Sequence, residues 1–217
     1  MHRMTYGVTG AEVPTFDGAS VDGSAYLDVV GHAQHAPGWL DGIVGAYSTY
    51  GLALFAVLML AGWWRARRRG SPRAVPALLA PPVTVLAFEV STVLKSGVHE
   101  LRPCQSLHVA TLEACPAVGD WSFPSNHATL AAAAAVCLWF VSARLGIVAS
   151  AGALAMAASR VWVGAHYPHD VVAGTLLGVL VALAAMLLVR KAPAGLVRRP
   201  AASRPGPRAA TSGPSSS

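Results

Sequence analysis

Charge is scarce in this chain. Only 12% of its 217 residues are Asp, Glu, Lys or Arg, about half the share of a soluble domain. With 54% hydrophobic residues, that shortage excludes an ordinary soluble domain and points to a polytopic membrane protein. Acidic residues are scarcer than basic ones, 10 against 16. The basic excess does not describe a nucleic-acid surface, because the arginines gather at Arg65–Arg73 and Arg190–Arg208, directly after apolar spans, as cytoplasmic anchors do. Cysteine is limited to three positions. Cys137 lies in an apolar run as a core thiol, and Cys104 and Cys115 flank a short loop, either bridged or free. Their spacing excludes a zinc site. There is also no basic segment followed by an apolar core and cleavage site, so no signal peptide is expected.

Apolar runs are what the chain has in quantity. Five are expected to cross a bilayer, at 42–64, 74–98, 127–143, 146–163 and 170–190, each near the ~20 residues a crossing needs. The fourth is rich in Gly, Ala and Ser and is expected at the centre of the bundle; Ala131–Ala135 in the third reads the same way. The fold class is therefore all-α, a polytopic membrane helix bundle with about five transmembrane helices. Residues 1–40 form a polar N-terminal segment, disordered over about the first twenty and with a short interfacial helix within Ala25–Leu40. Residues 41–191 form the membrane domain, and 192–217 a disordered cytoplasmic tail of Pro, Ala, Arg, Ser and Gly. Arg65–Arg69 set the first connection inside. The connections 99–126 and 164–169 are then both outside.

Three polar segments fall at that outer face. Lys95 and Arg102, seven residues apart, would share a face over two helical turns. Pro124-Ser125-Asn126-His127 opens the third span, where free backbone N–H groups suit an anion. Arg160, near the end of the fourth span, is costly unless it faces a polar cavity. His166 and Asp170 follow around Pro168; a carboxylate on one imidazole nitrogen leaves the other as a nucleophile. Each segment alone also has a plain structural reading: snorkelling cations, a capped helix, a structural His–Asp pair. Their order and common face point to one site that binds phosphate and transfers a phosphoryl group without a metal.

Lys95, six residues, Arg102-Pro103; Pro124-Ser125-Asn126-His127; Ser159-Arg160, five residues, His166, three residues, Asp170: this pattern resembles the type 2 phosphatidic acid phosphatase superfamily, whose fold is shared with the vanadium haloperoxidases. Asn126 stands where the superfamily usually has Gly. The resemblance implies that His166 attacks phosphorus and forms a phosphohistidine, that Asp170 orients His166, and that His127 protonates the leaving oxygen and then activates water. It implies that Lys95, Arg102 and Arg160 hold the phosphate oxygens, completed by Ser125 and the Asn126 amide. No metal and no cofactor are implied. The partners implied are a lipid phosphate or diphosphate substrate and membrane lipids, with no nucleic acid and no assigned oligomeric state.

Size, five spans and the N-terminal interfacial segment resemble most the small bacterial undecaprenyl-diphosphatase branch. This implies a plasma-membrane protein that hydrolyses a polyprenyl diphosphate lipid carrier of cell-wall synthesis on the outer face. Branches acting on phosphatidic acid, phosphatidylglycerophosphate or a polyprenyl-phosphoryl sugar phosphate share the motifs. A lipid phosphotransferase and a silent lipid-binding protein are readings of other classes. Glu89 is either functional or a helix-packing partner for an arginine. His99 and Glu100 tune the site or face solvent, Trp121 and Phe123 anchor the interface or wall a lipid chain, His169 is a cap, and His108 has no assigned role.

Overall fold

A computed structural model describes residues 16–191. Of the expected disorder, residues 1–15 and the 192–217 tail lie outside the described residues, whereas residues 16–20 lie in a short strand and the start of a helix, against the expectation for about the first twenty. In chain order the elements are β1 (Phe16–Asp17), α1 (Ala19–Gln34), α2 (Gly38–Tyr50), α3 (Leu52–Arg68), α4 (Ala74–Val98), β2 (Glu100–Leu101), α5 (Pro103–Leu107), α6 (Asn126–Val141), α7 (Ala143–Trp162) and α8 (Pro168–Lys191). β1 and β2 form a short parallel pair, Phe16 against Glu100 and Asp17 against Leu101.

Three helices, α4, α7 and α8, are long and apolar enough to cross a membrane, and α2 and α3 pass the same test together. The first expected span, 42–64, is thus two helices bent by 55°. The bend falls at Gly51, where a Cβ would lie 2.4 Å from the Tyr47 carbonyl oxygen and 2.8 Å from Met156 Cε. The N-terminal helix starts at Ala19, before the expected Ala25, and α6, the third expected span, is a 16-residue apolar helix too short to pass that crossing test, so up to four of the five expected spans meet it. Leu54, Leu60, Val93, Leu154, Leu180 and Leu188 are exposed on the outside of the bundle, the apolar surface that lipid requires.

Of the two spans whose small residues suggested a central place, α6 takes it and α7 does not. α6 touches α3, α4, α7 and α8, and its Ala131–Ala135 run is buried throughout. Side chains of one methyl group let four neighbours approach one helix, whereas α7 leaves Ile147, Val148 and Leu154 exposed. Against α8 the approach is closest: a Cβ on Gly174 would lie 2.4 Å from the Ser125 carbonyl oxygen, and one on Gly178 2.3 Å from that of Thr129.

From α3 onward the long helices α3, α4, α6, α7 and α8 alternate in direction. Arg73 precedes α4, Arg144 opens α7, and α3 and α8 end in Arg65, Arg67, Arg68 and in Arg190, Lys191. Arg65, Arg69, Arg73 and Arg144 line one pocket at this end. The three motif segments lie at the other end. Gly178→Ala should lower the midpoint of thermal unfolding in detergent, at a cost of about 1–3 kcal/mol. Gly97→Ala, where a Cβ meets nothing within 4 Å, should be neutral or slightly stabilising. Equal midpoints for the two variants would contradict close α6–α8 packing.

Candidate active site

The helix carrying Lys95 ends earlier than the spacing suggested. His99 takes a left-handed conformation (φ 53°) and closes α4, and Glu100–Leu101 turn away to pair with β1. Lys95 and Arg102 therefore share no helix face. They converge on the loop after α5 instead. Lys95 Nζ donates to the carbonyl oxygens of Trp121 (2.7 Å) and Ser122 (3.3 Å). Arg102 Nε donates to the Asp120 carbonyl (3.0 Å), and its NH2 pairs with Asp120 Oδ1 (2.9 Å). Arg102 NH1 donates to the Ala165 carbonyl (2.9 Å) and lies 3.4 Å from His166 Nε2. The loop is closed by a disulfide, Cys104–Cys115, and Cys137 is a buried free thiol.

Arg160 reaches the same end from the last turn of α7. It is 4% exposed and donates to Ser48 Oγ (2.6 Å) and pairs with Glu113 Oε2 (2.9 Å), while its Nε has no partner. Gly164 (φ 82°) turns the chain back, so that the His166 amide meets the Arg160 carbonyl at 3.3 Å. A side chain there would collide with Thr111, which is why the turn needs glycine.

His166 is fully enclosed. Its Nδ1 lies 3.4 Å from both Asp170 Oδ2 and Ser122 Oγ, and its Nε2 faces Arg102. Burial pushes its pKa down to about 3, with the Asp170 hydrogen bond opposing and the Arg102 charge adding to the fall. The ring is therefore neutral at physiological pH, with a lone pair available. Asp170 Oδ2 accepts from Ser122 Oγ (2.5 Å) and the Tyr167 amide (2.9 Å), while Oδ1 has no hydrogen-bond partner. The Asp170 carbonyl accepts from the Ser125 amide (3.1 Å), joining the N-terminal turns of α6 and α8.

Ser125 precedes α6, but its hydroxyl makes no cap bond and is buried without a partner. Asn126 is helical, so no Gly-like angles are needed there; its Oδ1 accepts from Ser91 Oγ (2.7 Å). His127 stands in the first turn of α6, half-buried. All eight expected site residues thus lie at one end of the bundle.

Sequence reasoning missed several of their partners. Ser122, Asp120 and Glu113 sit in a loop with no periodicity or motif spacing. Glu100 does not face solvent: it is 1% exposed. Burial raises its pKa to about 7, against the lowering effect of a hydrogen bond from His169. His169 is more than a cap, since Nε2 lies 3.0 Å from Glu100 Oε1 and Nδ1 2.8 Å from Asp22 Oδ1. Among the described residues Glu100, His169 and Asp170 bring ligand atoms within 4.8 Å of one another, a group able to hold a metal ion. Both ring nitrogens of His169 already face carboxylates, so the group reads as a hydrogen-bonded ion cluster. His99 packs edge-on against Trp121, Phe123 stacks on His169, and His108 closes α5. Glu89 is exposed on α4 and makes no ion pair among the described residues.

The sequence model of the PAP2 superfamily matches residues 75–194. The chain belongs to the PAP2 superfamily. It is 30% identical over 149 residues to undecaprenyl-diphosphatase BcrC of Bacillus subtilis, covering 68% of this chain and 74% of that protein. It is 38% identical over 98 residues to an undecaprenyl-diphosphatase of Sulfolobus acidocaldarius, covering 43% and 46%. The fold is that of a transmembrane PAP2 type phosphatidylglycerolphosphate phosphatase of Bacillus subtilis, with a TM-score of 0.61, 24% identity, and coverage of 78% of this chain and 87% of that one. The protein is accordingly a multi-pass membrane protein.

Ser122 contacts both His166 and Asp170 from outside the three motifs. Ser122→Ala should lower kcat for phosphate release about tenfold, the equivalent of one hydrogen bond to a charged group, with KM within twofold. An unchanged kcat would show that Asp170 is held without the Ser122 hydroxyl.

Proposed function

We propose that this protein is a metal-independent lipid phosphatase that hydrolyses undecaprenyl diphosphate, or a close polyprenyl diphosphate, to the monophosphate. The observation that carries the mechanism is the buried, neutral His166, with Nδ1 toward Asp170 and Nε2 toward Arg102. Nε2 attacks the terminal phosphorus, and the bond from that phosphorus to the bridging oxygen breaks. His127 donates a proton to that oxygen, releasing the lipid monophosphate. Water then attacks the phosphohistidine, giving its proton to His127, and the P–N bond breaks to free phosphate. Asp170 stabilises the positive charge that the ring gains.

Lys95, Arg102 and Arg160 stabilise the charge on the transferring group, and Ser125 Oγ and the Asn126 amide complete the cradle. Asp120 and Glu113 hold two of these cations through exposed carboxylates, which a phosphate would displace. The choice of lipid rests on the relatives named for undecaprenyl diphosphate. The outer-face location, and with it a cytoplasmic C-terminal tail, is supported by the arginines at the opposite end of the bundle.

The test is phosphate release by purified protein in detergent with EDTA, offered polyprenyl diphosphate, phosphatidic acid and phosphatidylglycerophosphate in parallel. Selective release from the polyprenyl diphosphate is expected, with block by vanadate and no turnover by His166→Ala. Appreciable turnover by His166→Ala, or loss of activity in EDTA, would sink the mechanism. Release mainly from a glycerolipid would overturn the substrate alone.

A further inference from the structure

His169 sits among three carboxylates from three elements. Asp22 comes from α1, which is kinked at that residue. Its Oδ1 lies 2.8 Å from His169 Nδ1, and its Oδ2 accepts the His169 amide at 2.7 Å. Glu100 comes from β2, 3.0 Å from Nε2, and Asp170 Oδ1 lies 3.5 Å from the same nitrogen. Asp170 and Glu100 are buried. On its far side Asp170 faces His166, whose Nε2 lies 3.4 Å from the Arg102 guanidinium.

A carboxylate only accepts hydrogen bonds, and a neutral imidazole donates from one nitrogen. Two ring nitrogens at hydrogen-bond distance from two carboxylates therefore require one proton more than neutral imidazole carries. Placed on the ring rather than on Glu100, whose pKa burial raises only to about 7, that proton gives each nitrogen a donor and supplies the one positive charge among three carboxylates. Without it, adjacent buried carboxylates would stand unpaired, which is expensive. The ring is also wedged between aromatic faces, stacked on Tyr167 (5.5 Å) and Phe123 (6.0 Å).

The same contact fastens the N-terminal segment. Tyr26 Oη donates to the Gly164 carbonyl (3.0 Å), and Gln34 Nε2 to that of Ala110 (2.9 Å). α1 thus touches the His166 loop, the Glu113 loop and the start of α8.

We propose that His169 is a doubly protonated positioning residue that holds Asp170 in place and clamps α1 onto the active site. The kinetic part rests on the roles given above to His166 and Asp170. Asp170 Oδ1, which no hydrogen bond fixes, is held by this charge alone.

Two readouts separate this proposal from that reading. In histidine-15N-labelled wild-type protein at pH 7.5, ordinary histidines are mostly neutral. One ring should show both nitrogens protonated, and the signal should be missing in His169→Gln. A singly protonated His169 overturns the proposal whether or not the protein turns over lipid. In the phosphate-release assay, His169→Gln should lower kcat about tenfold, the scale of one charge-assisted hydrogen bond, with KM within twofold. Asp22→Asn, which spares the ring, should give a smaller fall in kcat. A rise in KM alone, or unchanged kinetics in both variants, overturns the positioning role. Loss of wild-type phosphate release would count against the phosphatase reading and leave the nitrogen signal to decide the clamp.

Discussion

One buried carboxylate organises this site. Asp170 is closed off from solvent and so must be satisfied by the protein. Its Oδ2 gathers the Ser122 hydroxyl and the Tyr167 amide and faces His166; its carbonyl ties α8 to α6 through Ser125. Remove that charge and the Ser122 loop and the His166 turn lose their common partner. The apolar bundle around it makes the arrangement both necessary and strong, because charges in a low-dielectric setting interact over short distances with little screening.

The bundle delivers those groups to one place by close helix packing. Ala131–Ala135 keep α6 thin, and Gly174 and Gly178 bring α8 within backbone contact of it. Ser125 and Asp170 can meet only because those two helices start side by side. The left-handed residues at helix ends, His99 and His108, then turn the chain into the loops that carry Arg102, Asp120 and Ser122. Fold and chemistry share the same few contacts.

The sequence announced the membrane bundle and brought the proposed phosphate-handling groups to one end of it, because both impose residue types at fixed spacings. Long apolar runs mark spans, and Lys95, Arg102, Arg160, His127, His166 and Asp170 are chemically irreplaceable in the proposed reaction. What stayed hidden depends on tertiary contact. Helix periodicity carried Arg102 onto α4, whereas pairing of Glu100–Leu101 with the N-terminal strand ends that helix at Val98. The break at Gly51 reflects the space left by Tyr47 and Met156. Small-residue composition pointed to both α6 and α7 as central, and only α6 is buried throughout its run, because the packing of neighbours decides between them. Ser122, Asp22 and Glu100 are single polar residues whose importance comes from partners far away in the chain, and no local pattern flags them.

The central claim is a covalent phosphohistidine at His166. The direct test is to mix the protein with polyprenyl diphosphate radiolabelled in its terminal phosphate, quench at alkaline pH within one turnover, and map the label. The account predicts an acid-labile, base-stable phosphoryl group on the peptide containing His166, absent from His166→Ala. Full turnover with no label retained on the protein would contradict it and point to direct attack by water.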